Sequence, residues 1–475
     1  MDSLLPALRA LVGAKHVISR PSELVVYEND GLPGYHKTPR LLVSPGSGEE
    51  AVAVVRALAA ADVPWVARGA GTGLSGGSLA DGIVMIGMQR MRRILTIDPE
   101  ARCATVEPGV VNVNLTKAAT PFGLHYAPDP SSQSACTIGG NVAENAGGPH
   151  CLKYGVTMNH ILAATVVLPD GEVVKLEAPR DDGVGIDLLG AYVGSEGCFG
   201  LTIDVTVRLV PNPARICTML ADYLTVDGAA ETVSAIIAAG IVPAALEMVD
   251  AGTIAAVEAS IYAAGYPTDA AACLLVEVDG PSAGLDDDVT AIEKFCLANG
   301  ARTVRIATDA ADRARLWQGR KKAFGAMGRV SPNLCVQDAV VPRTKLAPVL
   351  REMAAIGERH RIRICNVFHA GDGNLHPNIP YNADDPDEAH RVDLACREIM
   401  ELCIRSGGTI TGEHGVGLDK LKYMDSLFDP GSLDAMCRLR DAFDPSRRAN
   451  PGKVVPVHRC REWHGAPGVE RGEVA

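Results

Sequence analysis

The sequence predicts an α+β fold in which antiparallel strands and helices follow one another along the chain. Leu201–Leu209 alternates apolar and polar residues, as an antiparallel strand with one buried face does, whereas Glu49–Ala61 has apolar residues at helical spacing. The chain has 475 residues, of which 47% are apolar and 21% charged, so it is long enough for two domains with full cores.

The first 213 residues are predicted to form a helical segment followed by a β-rich unit. Residues 1–37 contain a helix with Leu4, Leu8 and Leu11 on one face. Ser47 is placed to cap the helix Glu49–Ala61. The other predicted strands are Arg40–Ser44, Val63–Ala67, Ile83–Ile86, Ile94–Asp98 and Cys103–Glu107.

Residues after Pro213 are predicted to form an antiparallel sheet with helices on one face. The predicted helices are Val226–Ala239, Asp286–Asn299 and 387–406, and the predicted strands are Ala272–Val278, Ala301–Ile306 and Val336–Val341. Arg438–Pro451 is predicted as a short helix and turn, and 458–475 as a polar tail.

Composition excludes several classes of protein. A formal net charge of −12 argues against binding to nucleic acid or to an anionic membrane. No apolar run has the length of a signal peptide core or a membrane span. The 13 cysteines include no Cys-x-x-Cys pair, which argues against a disulfide framework or an iron–sulfur site and favours free thiols in a cytoplasmic protein.

A glycine-rich loop, Arg68–Gly77, predicts a binding site for a pyrophosphate. Gly71–Gly76 matches the spacing of a dinucleotide-binding fingerprint, but a strand rather than a helix follows it and no carboxylate lies about 20 residues on. Backbone N–H groups of such a loop suit a phosphate without a helix. Three more loops of small and polar residues favour a large polar cofactor: 128–132, 137–148 and 194–197.

Two histidines seven residues apart, His369 and His376, flank turn residues Gly371–Asn374. If the chain reverses there, the two rings become cross-strand neighbours on one face, about 5 Å apart between Cβ atoms. With Glu413 they would form a three-ligand metal site with open positions, which is typical of catalytic metal sites. His414 would then be free to move a proton, although surface loop histidines are the alternative interpretation.

These motifs together resemble the FAD-linked oxidases of the vanillyl-alcohol oxidase/PCMH superfamily, in the branch that contains the GlcD-type glycolate oxidases, the D-lactate dehydrogenases and the D-2-hydroxyglutarate dehydrogenases. The resemblance covers residues 38–456. It implies a PCMH-type FAD-binding domain at 38–213, a substrate (cap) domain at 214–430, and a segment at 431–457 that returns to the flavin.

The resemblance also implies the residues that contact FAD. They are Arg68, Gly69, Ala70, Gly71, Thr72, Gly73, Leu74, Ser75, Gly76, Pro128, Asp129, Ser131, Thr137, Gly140, Asn141, Asn145, Gly147, Glu196, Gly197 and Asn450. Because no His or Cys lies between Arg68 and Gly77, the FAD is expected to be non-covalent.

By the same resemblance, His369, His376 and Glu413 bind one divalent metal, which could be zinc, manganese or iron. Arg320 and Asn378 contact the substrate, and His414 is the base that accepts the hydroxyl proton while a hydride passes to the flavin N5.

The expected substrate is a short D-2-hydroxy acid, glycolate or D-lactate. Phe324 and Val336 replace a hydroxyl and a lysine found in the 2-hydroxyglutarate enzymes, which weakens the alternative of a dicarboxylate substrate. A flavin-independent metal hydrolase is the alternative from another class.

Electrons are expected to pass to a separate acceptor, which could be an iron–sulfur subunit, a quinone, a cytochrome or an electron-transfer flavoprotein. A partner subunit would be the route to peripheral attachment at a membrane, and a homodimer is compatible with the sequence.

Overall fold

The computed structural model describes residues 4–32, 34–177 and 185–456, which form two sheet-based halves that meet near Pro213. The predicted tail at 458–475 lies outside the described residues. Among the described helices, none combines the length and the apolarity that a bilayer crossing requires. The domain boundaries at 38, 213 and 430 stay predictions.

The first half consists of short strands and helices. Its strands are β1 (Val17–Ile18), β2 (Leu41–Val43), β3 (Trp65–Arg68), β4 (Val84–Gly87), β5 (Ile94–Asp98), β6 (Cys103–Val106), β7 (Leu124–His125), β8 (Ile161–Val167), β9 (Val173–Glu177), β10 (Leu201–Arg208) and β11 (Val210–Pro211). Its helices are α1 (Leu4–Val12), α2 (Pro21–Leu24), α3 (Gly48–Ala60), α4 (Asn112–Ala119), α5 (Ile138–Glu144), α6 (Cys151–Tyr154) and α7 (Leu188–Tyr192).

Two sheets organise this half. The sheet β1-β2-β4-β3 has β4 parallel to both β2 and β3, and α1 and α3 pack on it. The sheet β5-β6-β10-β8-β9 is antiparallel and packs on α4 and α5. The glycine-rich loop follows the carboxyl end of β3. The prediction of a loop at 137–148 is wrong in part, because Ile138–Glu144 forms α5, which Thr137 caps by accepting from the N–H of Gly140.

Two sequence predictions concern helices of the first half, the cap of α3 and the apolar stripe on α1. The predicted cap of α3 is confirmed, because the Ser47 hydroxyl accepts a hydrogen bond from the backbone N–H of Glu50 at 3.3 Å. The predicted stripe on α1 is wrong in one position. Leu11 is 37% exposed and Val12 is buried instead, because four-residue spacing from Leu4 and Leu8 continues to Val12.

The second half contains longer elements. Its strands are β12 (Arg215–Tyr223), β13 (Ala245–Asp250), β14 (Ala272–Gly280), β15 (Ala301–Ile306), β16 (Asn333–Val336), β17 (Ala339–Val340), β18 (Cys365–His369), β19 (Asn374–Leu375) and β20 (Pro377–Tyr381). Its helices are α8 (Val226–Ala238), α9 (Ala251–Glu258), α10 (Ser282–Ala298), α11 (Ala310–Lys321), α12 (Ala323–Met327), α13 (Leu346–His360), α14 (Pro386–Arg405), α15 (Met424–Leu427) and α16 (Pro430–Phe443).

An antiparallel sheet in the order β15-β12-β14-β13-β18-β19-β17 forms the centre of this half, with β20 and β16 joined to it through β18. Helices α8, α10, α13 and α14 bury one face, and α9, α11 and α12 bury the other. The prediction of helices on one face is therefore wrong. Strand β14 has apolar residues pointing both ways, Leu274 toward the first helix layer and Leu275 toward the second, which is typical of a strand covered on both faces.

Two other predictions for the second half are wrong. The strand predicted at Val336–Val341 is divided into β16 and β17, because these pair with different partners, β20 and β19, and Gln337-Asp338 lies between them. The helix predicted to begin at Arg438 begins at Pro430 instead. Asp429 caps it, with its side chain accepting from the N–H groups of Gly431 and Ser432.

The chain returns to the first half after α16. Phe443 stacks on Phe199 with ring centroids 4.6 Å apart, and Ala449 is buried among the residues that surround Trp65. The backbone N–H of Asn450 donates to the carbonyl of Trp65 at 2.7 Å. The last described segment thus completes the core beside the glycine-rich loop.

Candidate active site

A cavity of about 610 Å³ lies between the glycine-rich loops of the first half and α11, α12 and the histidine hairpin of the second. The residues predicted to contact FAD that line it are Gly69, Ala70, Gly71, Thr72, Gly73, Leu74, Ser131, Thr137, Gly140, Asn141, Glu196 and Gly197. This volume is within the usual range for a site that encloses an organic ligand.

The wall on the glycine side leaves little room for side chains. A Cβ on Gly69 would lie 2.3 Å from the Thr137 hydroxyl, and one on Gly77 would lie 2.9 Å from Glu144. Gly71 has φ +69°, a conformation that favours glycine. Loops that expose backbone N–H groups in this way suit a ligand with a pyrophosphate, so the residues present fit FAD.

The remaining residues predicted to contact FAD lie behind this wall and support it. They are Arg68, Ser75, Gly76, Pro128, Asp129, Asn145, Gly147 and Asn450. Arg68 donates to the carbonyl of Asn29 at 2.6 Å, and the Asn450 amide donates to the carbonyls of Gly77 and Glu196 at 2.9 and 2.5 Å. Their direct contact with the cofactor stays a prediction, since Arg68 Nη1 and Ser75 Oγ have no hydrogen-bond partner among the described residues.

The histidine hairpin forms where it is predicted. Strand β18 ends at His369, the chain turns with Gly373 at φ +82°, and His369 pairs with Asn374 of β19. His376 lies two residues beyond Asn374, between β19 and β20, and not directly opposite His369. Residues in that diagonal position share a face, and the two rings meet edge to face with centroids 5.1 Å apart.

Glu413 lies between the two histidines. Its Oε1 is 3.2 Å from His369 Nε2 and 3.1 Å from His376 Nε2, and all three side chains are largely buried. Their ligand atoms lie within 4.8 Å of one another. Two imidazole nitrogens and one carboxylate oxygen with an open side toward the cavity fit a catalytic divalent metal.

Electrostatic interactions within this cluster are strong. Burial alone would lower the pKa of His369, but the carboxylates of Glu247 and Glu413 raise it well above its usual value. Burial alone would raise the pKa of Glu413, but hydrogen bonds from His369 and His376 hold it well below its usual value. The cluster therefore contains an ionised carboxylate at the centre.

Glu247 orients His369 from behind. Glu247 and His369 are direct cross-strand partners on β13 and β18, and the Glu247 carboxylate is 2.8 Å from His369 Nδ1. The same carboxylate accepts from Arg320 Nε at 2.6 Å, and Arg320 lines the cavity. Carboxylates in this position fix the ring orientation of metal-binding histidines. Sequence reasoning missed Glu247, whose only signal is an acid within the apolar strand 245–249.

His414 lines the cavity beside His376, and the two rings stack with centroids 5.1 Å apart. Burial lowers the pKa of His414 to about 4, so its ring is neutral at pH 7. Within the described parts of the chain, its Nδ1 has no hydrogen-bond partner. A neutral, unpaired imidazole on a cavity wall is able to accept a proton.

Asn378 lies on β20, two residues after His376, and it does not line the cavity. It is fully buried, and its amide donates to the carbonyl of His376 at 2.7 Å. This hydrogen bond supports the hairpin, and contact of Asn378 with the substrate stays a prediction.

A buried ionic network that the sequence did not reveal joins the two halves. His150 is 3.0 Å from Asp129 in the first half and 3.3 Å from Glu277 of β14. Glu277 also accepts from Arg313 and Trp317 of α11, the helix that carries Arg320. Burial opposes it, but Asp129 raises the pKa of His150 to about 10.

Comparison with known proteins agrees with this geometry. Residues 39–177 match a family described as FAD binding domain, and residues 212–454 match one described as FAD linked oxidases, C-terminal domain. Glycolate oxidase subunit GlcD of Escherichia coli (strain K12) is 44% identical over 475 residues, which cover 99% of this chain and 95% of that protein. The chain belongs to the FAD-linked oxidases. It is therefore an FAD-dependent oxidoreductase, as its resemblance to this superfamily predicts.

Other relatives extend the comparison of this FAD-linked oxidase. D-lactate dehydrogenase of Anaerostipes hadrus is 33% identical over 440 residues, covering 90% of this chain and 92% of that protein. Among solved structures, p-cresol methylhydroxylase with substrate bound has a TM-score of 0.81 at 16% identity, covering 96% of this chain and 97% of the other. That likeness confirms the predicted fold class, α+β with a PCMH-type FAD-binding fold, and membership of this family overturns the alternative of a flavin-independent hydrolase.

Proposed function

We propose that this protein is a dehydrogenase that oxidises a short D-2-hydroxy acid, glycolate or D-lactate, to the 2-oxo acid. The observation that carries the proposal is that His376, Glu413 and His414 line the same cavity as the glycine-rich loops. The names of the related GlcD and D-lactate dehydrogenase proteins support the same substrate class.

In this proposal the protein's own groups bind and orient the acid. Arg320 binds the substrate carboxylate, and Glu247 holds the Arg320 guanidinium and the His369 ring in fixed orientations. His414, neutral at pH 7, accepts the proton of the α-hydroxyl. When bound, FAD supplies the acceptor for the Cα hydrogen, and zinc, manganese or iron held by His369, His376 and Glu413 supplies Lewis acidity at the hydroxyl oxygen.

The size of the substrate is inferred from the cavity wall near Arg320. Phe324, Leu334 and Val336 line it and would face the substituent on Cα. An unpaired second carboxylate against this apolar wall would cost several kcal/mol, whereas a hydrogen or methyl group would not. Lys321 and Lys322 also line the cavity, and they favour the alternative, D-2-hydroxyglutarate.

We infer that the FAD is held without a covalent bond. The glycine-rich loop contains no His or Cys, and Cys136, which does line the cavity, is a buried thiol whose pKa is raised by burial, so it is a poor nucleophile. Acid precipitation is expected to release all of the FAD into the supernatant. Flavin retained in the pellet would contradict this inference.

We also propose that the reduced enzyme passes its electrons to a separate protein or quinone. The 44% identical relative is named as a subunit of glycolate oxidase, which supports a multisubunit assembly. The candidate acceptors are an iron–sulfur subunit, a cytochrome, a quinone and an electron-transfer flavoprotein. Such a partner would be the route to attachment at a membrane.

The decisive experiment is anaerobic stopped-flow reduction of the enzyme-bound flavin by a panel of D- and L-2-hydroxy acids. Glycolate or D-lactate is expected to be at least about 100-fold more efficient than D-2-hydroxyglutarate, which corresponds to about 3 kcal/mol. Equal efficiency with D-2-hydroxyglutarate would refute the short-acid proposal, and its loss in Lys321→Met or Lys322→Met would identify the lysine that binds the second carboxylate. No bleaching by any acid would refute the proposed function.

A further inference from the structure

The loop that carries Glu413 and His414 is held by its backbone on one side. The N–H groups of Gly412, Glu413 and His414 all donate to Asp338 Oδ2, at 2.9, 3.2 and 3.0 Å. The Thr411 hydroxyl donates to the same oxygen at 2.6 Å. A single carboxylate oxygen, in the segment between β16 and β17, therefore accepts hydrogen bonds from residues 411–414 at the start of this loop.

The other half of the molecule holds the end of the same loop. The N–H groups of Val416 and Gly417 donate to the two oxygens of Glu196, at 2.6 and 2.7 Å. Those of Leu418 and Asp419 donate to the carbonyl of Ser75, in the glycine-rich loop. The Thr411 hydroxyl accepts from the remaining N–H, that of Gly415, at 3.0 Å. Every backbone N–H from 412 to 419 thus has a defined acceptor.

Asp338 is itself fixed in position. It is fully buried, and the ammonium group of Lys420, also buried, lies 3.1 Å from Oδ2 and donates to the Asp338 carbonyl at 2.9 Å. Burial would raise the pKa of Asp338, but Lys420 holds it well below its usual value, so the carboxylate is charged.

The second oxygen of Asp338 faces a predicted metal ligand. Asp338 Oδ1 lies 3.8 Å from His376 Nδ1, and neither atom has a hydrogen-bond partner among the residues that the structure describes. Glu247 contacts His369 Nδ1 at 2.8 Å in the equivalent place behind the other ring. Asp338 thus lies behind His376 as Glu247 lies behind His369, but it makes no hydrogen bond to the His376 ring.

We propose that Asp338 and Glu196 are positioning residues that clamp the 411–417 loop from opposite halves and set where Glu413 and His414 stand relative to the flavin cavity. This inference rests on the proposed function for its catalytic consequence. The clamp itself consists of hydrogen bonds within this chain, so its existence does not depend on the substrate. Misplacing a reacting group by about 1 Å costs roughly 100-fold in rate, so a rigid link between the two halves matters for the reaction.

The test compares Asp338→Asn and Glu196→Gln with a matched control, Asp222→Asn. Asp222 is also a buried carboxylate, paired with Arg302 and Thr303, and it does not contact the loop. The double variant Asp338→Asn/Lys420→Met removes both buried charges together, so that an uncompensated Lys420 does not prevent folding.

Two measurements are made on each FAD-loaded variant. Hydrogen exchange of a peptide that covers 411–419 reports the clamp directly, and stopped-flow flavin reduction at saturating substrate reports the reaction. Both Asp338 variants and Glu196→Gln are expected to exchange faster in this peptide and to reduce flavin about 10- to 100-fold more slowly, with little change in KM. Asp222→Asn is expected to match the wild type in both measurements, although its melting temperature falls.

Unchanged exchange in the variants would overturn the clamp, and faster exchange with a wild-type reduction rate would overturn its role in positioning. Two metal ions per chain in the wild type and one in Asp338→Asn would make Asp338 a ligand with His376 and His414, and would also overturn the proposal. If no acid reduces the wild-type flavin, the proposed function fails separately, and hydrogen exchange alone decides whether the clamp exists.

Discussion

The two walls of the cavity are built from different parts of the polypeptide. The first-half wall presents backbone, with glycines where a Cβ would collide with Thr137 or Glu144. The second-half wall presents side chains, and buried carboxylates such as Glu247 and Asp338 hold those side chains or their loop. The shape of the first wall depends on glycines that have no Cβ, whereas the second wall depends on particular side-chain atoms at particular distances.

This difference predicts which substitutions each wall tolerates. A backbone wall is sensitive to added volume but has few side-chain functional groups to lose. A side-chain wall is sensitive to the loss of one ligand or one orienting acceptor, even when shape is preserved. FAD binding and turnover are therefore expected to fail separately, and the following predictions test that separation.

The largest effect is expected for His376→Ala. Loss of one of three candidate metal ligands is expected to lower turnover at least about a thousandfold, since Lewis-acid assistance contributes several kcal/mol. The ratio of FAD to protein absorbance is expected to stay at the wild-type value. Chelator treatment of the wild type should reproduce this result, and added metal should reverse it.

His160→Ala, which truncates a buried histidine away from the cavity lining, is the control. Loss of FAD from His376→Ala would show that FAD binding and turnover do not fail separately.

Gly69→Ala is expected to have the opposite effect, which is weaker FAD binding with near-normal turnover. Its Cβ would lie 2.3 Å from the Thr137 hydroxyl, which caps α5 by accepting from the N–H of Gly140. Overpacking of this kind costs about 1–3 kcal/mol, so the Kd for FAD should rise about 10- to 100-fold. Turnover at saturating FAD should be near normal.

Gly48→Ala is the control for this prediction. Its Cβ would meet only Ile203, at 3.4 Å, and it lies in the first turn of α3, away from the cavity. Titration of apoprotein with FAD, followed by fluorescence, gives both affinities. A Gly69→Ala enzyme that binds FAD normally would mean that the wall has room that the structure does not show.

Much of the side-chain wall could be predicted, because its two histidine ligands lie close together in sequence and Glu413 and His414 are adjacent. Turn residues between His369 and His376 indicate the reversal that joins them, and Glu413-His414 lies between glycines. The partners that orient them could not be predicted. Glu247 meets His369 only through the register of β13 with β18, and Asp338 reaches the loop because a predicted strand is broken there.

In the backbone wall, the contacts of individual residues with FAD stay predictions. The loops were placed correctly on the cavity, but sequence does not show which side of a loop faces the ligand. Arg68 and Asn450 carry polar groups of the type that bind phosphates, yet both donate to backbone carbonyls behind the wall. Sequence near a glycine-rich loop therefore indicates the site better than it indicates the contacts.

The smallest effect is expected where the two walls are joined. Interaction with Asp129 raises the pKa of His150 to about 10, against an ordinary value of 6.5, so its contribution to stability is complete below pH 6.5 and is lost as pH rises toward 10. Between pH 7 and 10 the free energy of unfolding of the wild type should fall toward that of His150→Gln. Because the group is partly solvated, a difference of about 1–3 kcal/mol at pH 7 is expected.

Urea unfolding of both proteins at several pH values measures this difference. A gap between the two proteins that widens as pH rises would contradict the prediction. His36→Gln, which changes an exposed histidine in the first half, is the control for the general effect of a His→Gln substitution.

The return of the chain after α16 has a consequence for the order in which the protein is made. Ala449 packs against Trp65, and Lys453 donates to the carbonyl of Leu79 at 2.6 Å, so residues near the end of the described chain support a loop that begins at residue 69. A growing polypeptide exposes the glycine-rich loop long before these supports leave the ribosome. The glycine-rich side of the FAD site is therefore completed only after the second half has been synthesised. A nascent chain released early would have the loop but lack the residues that support it.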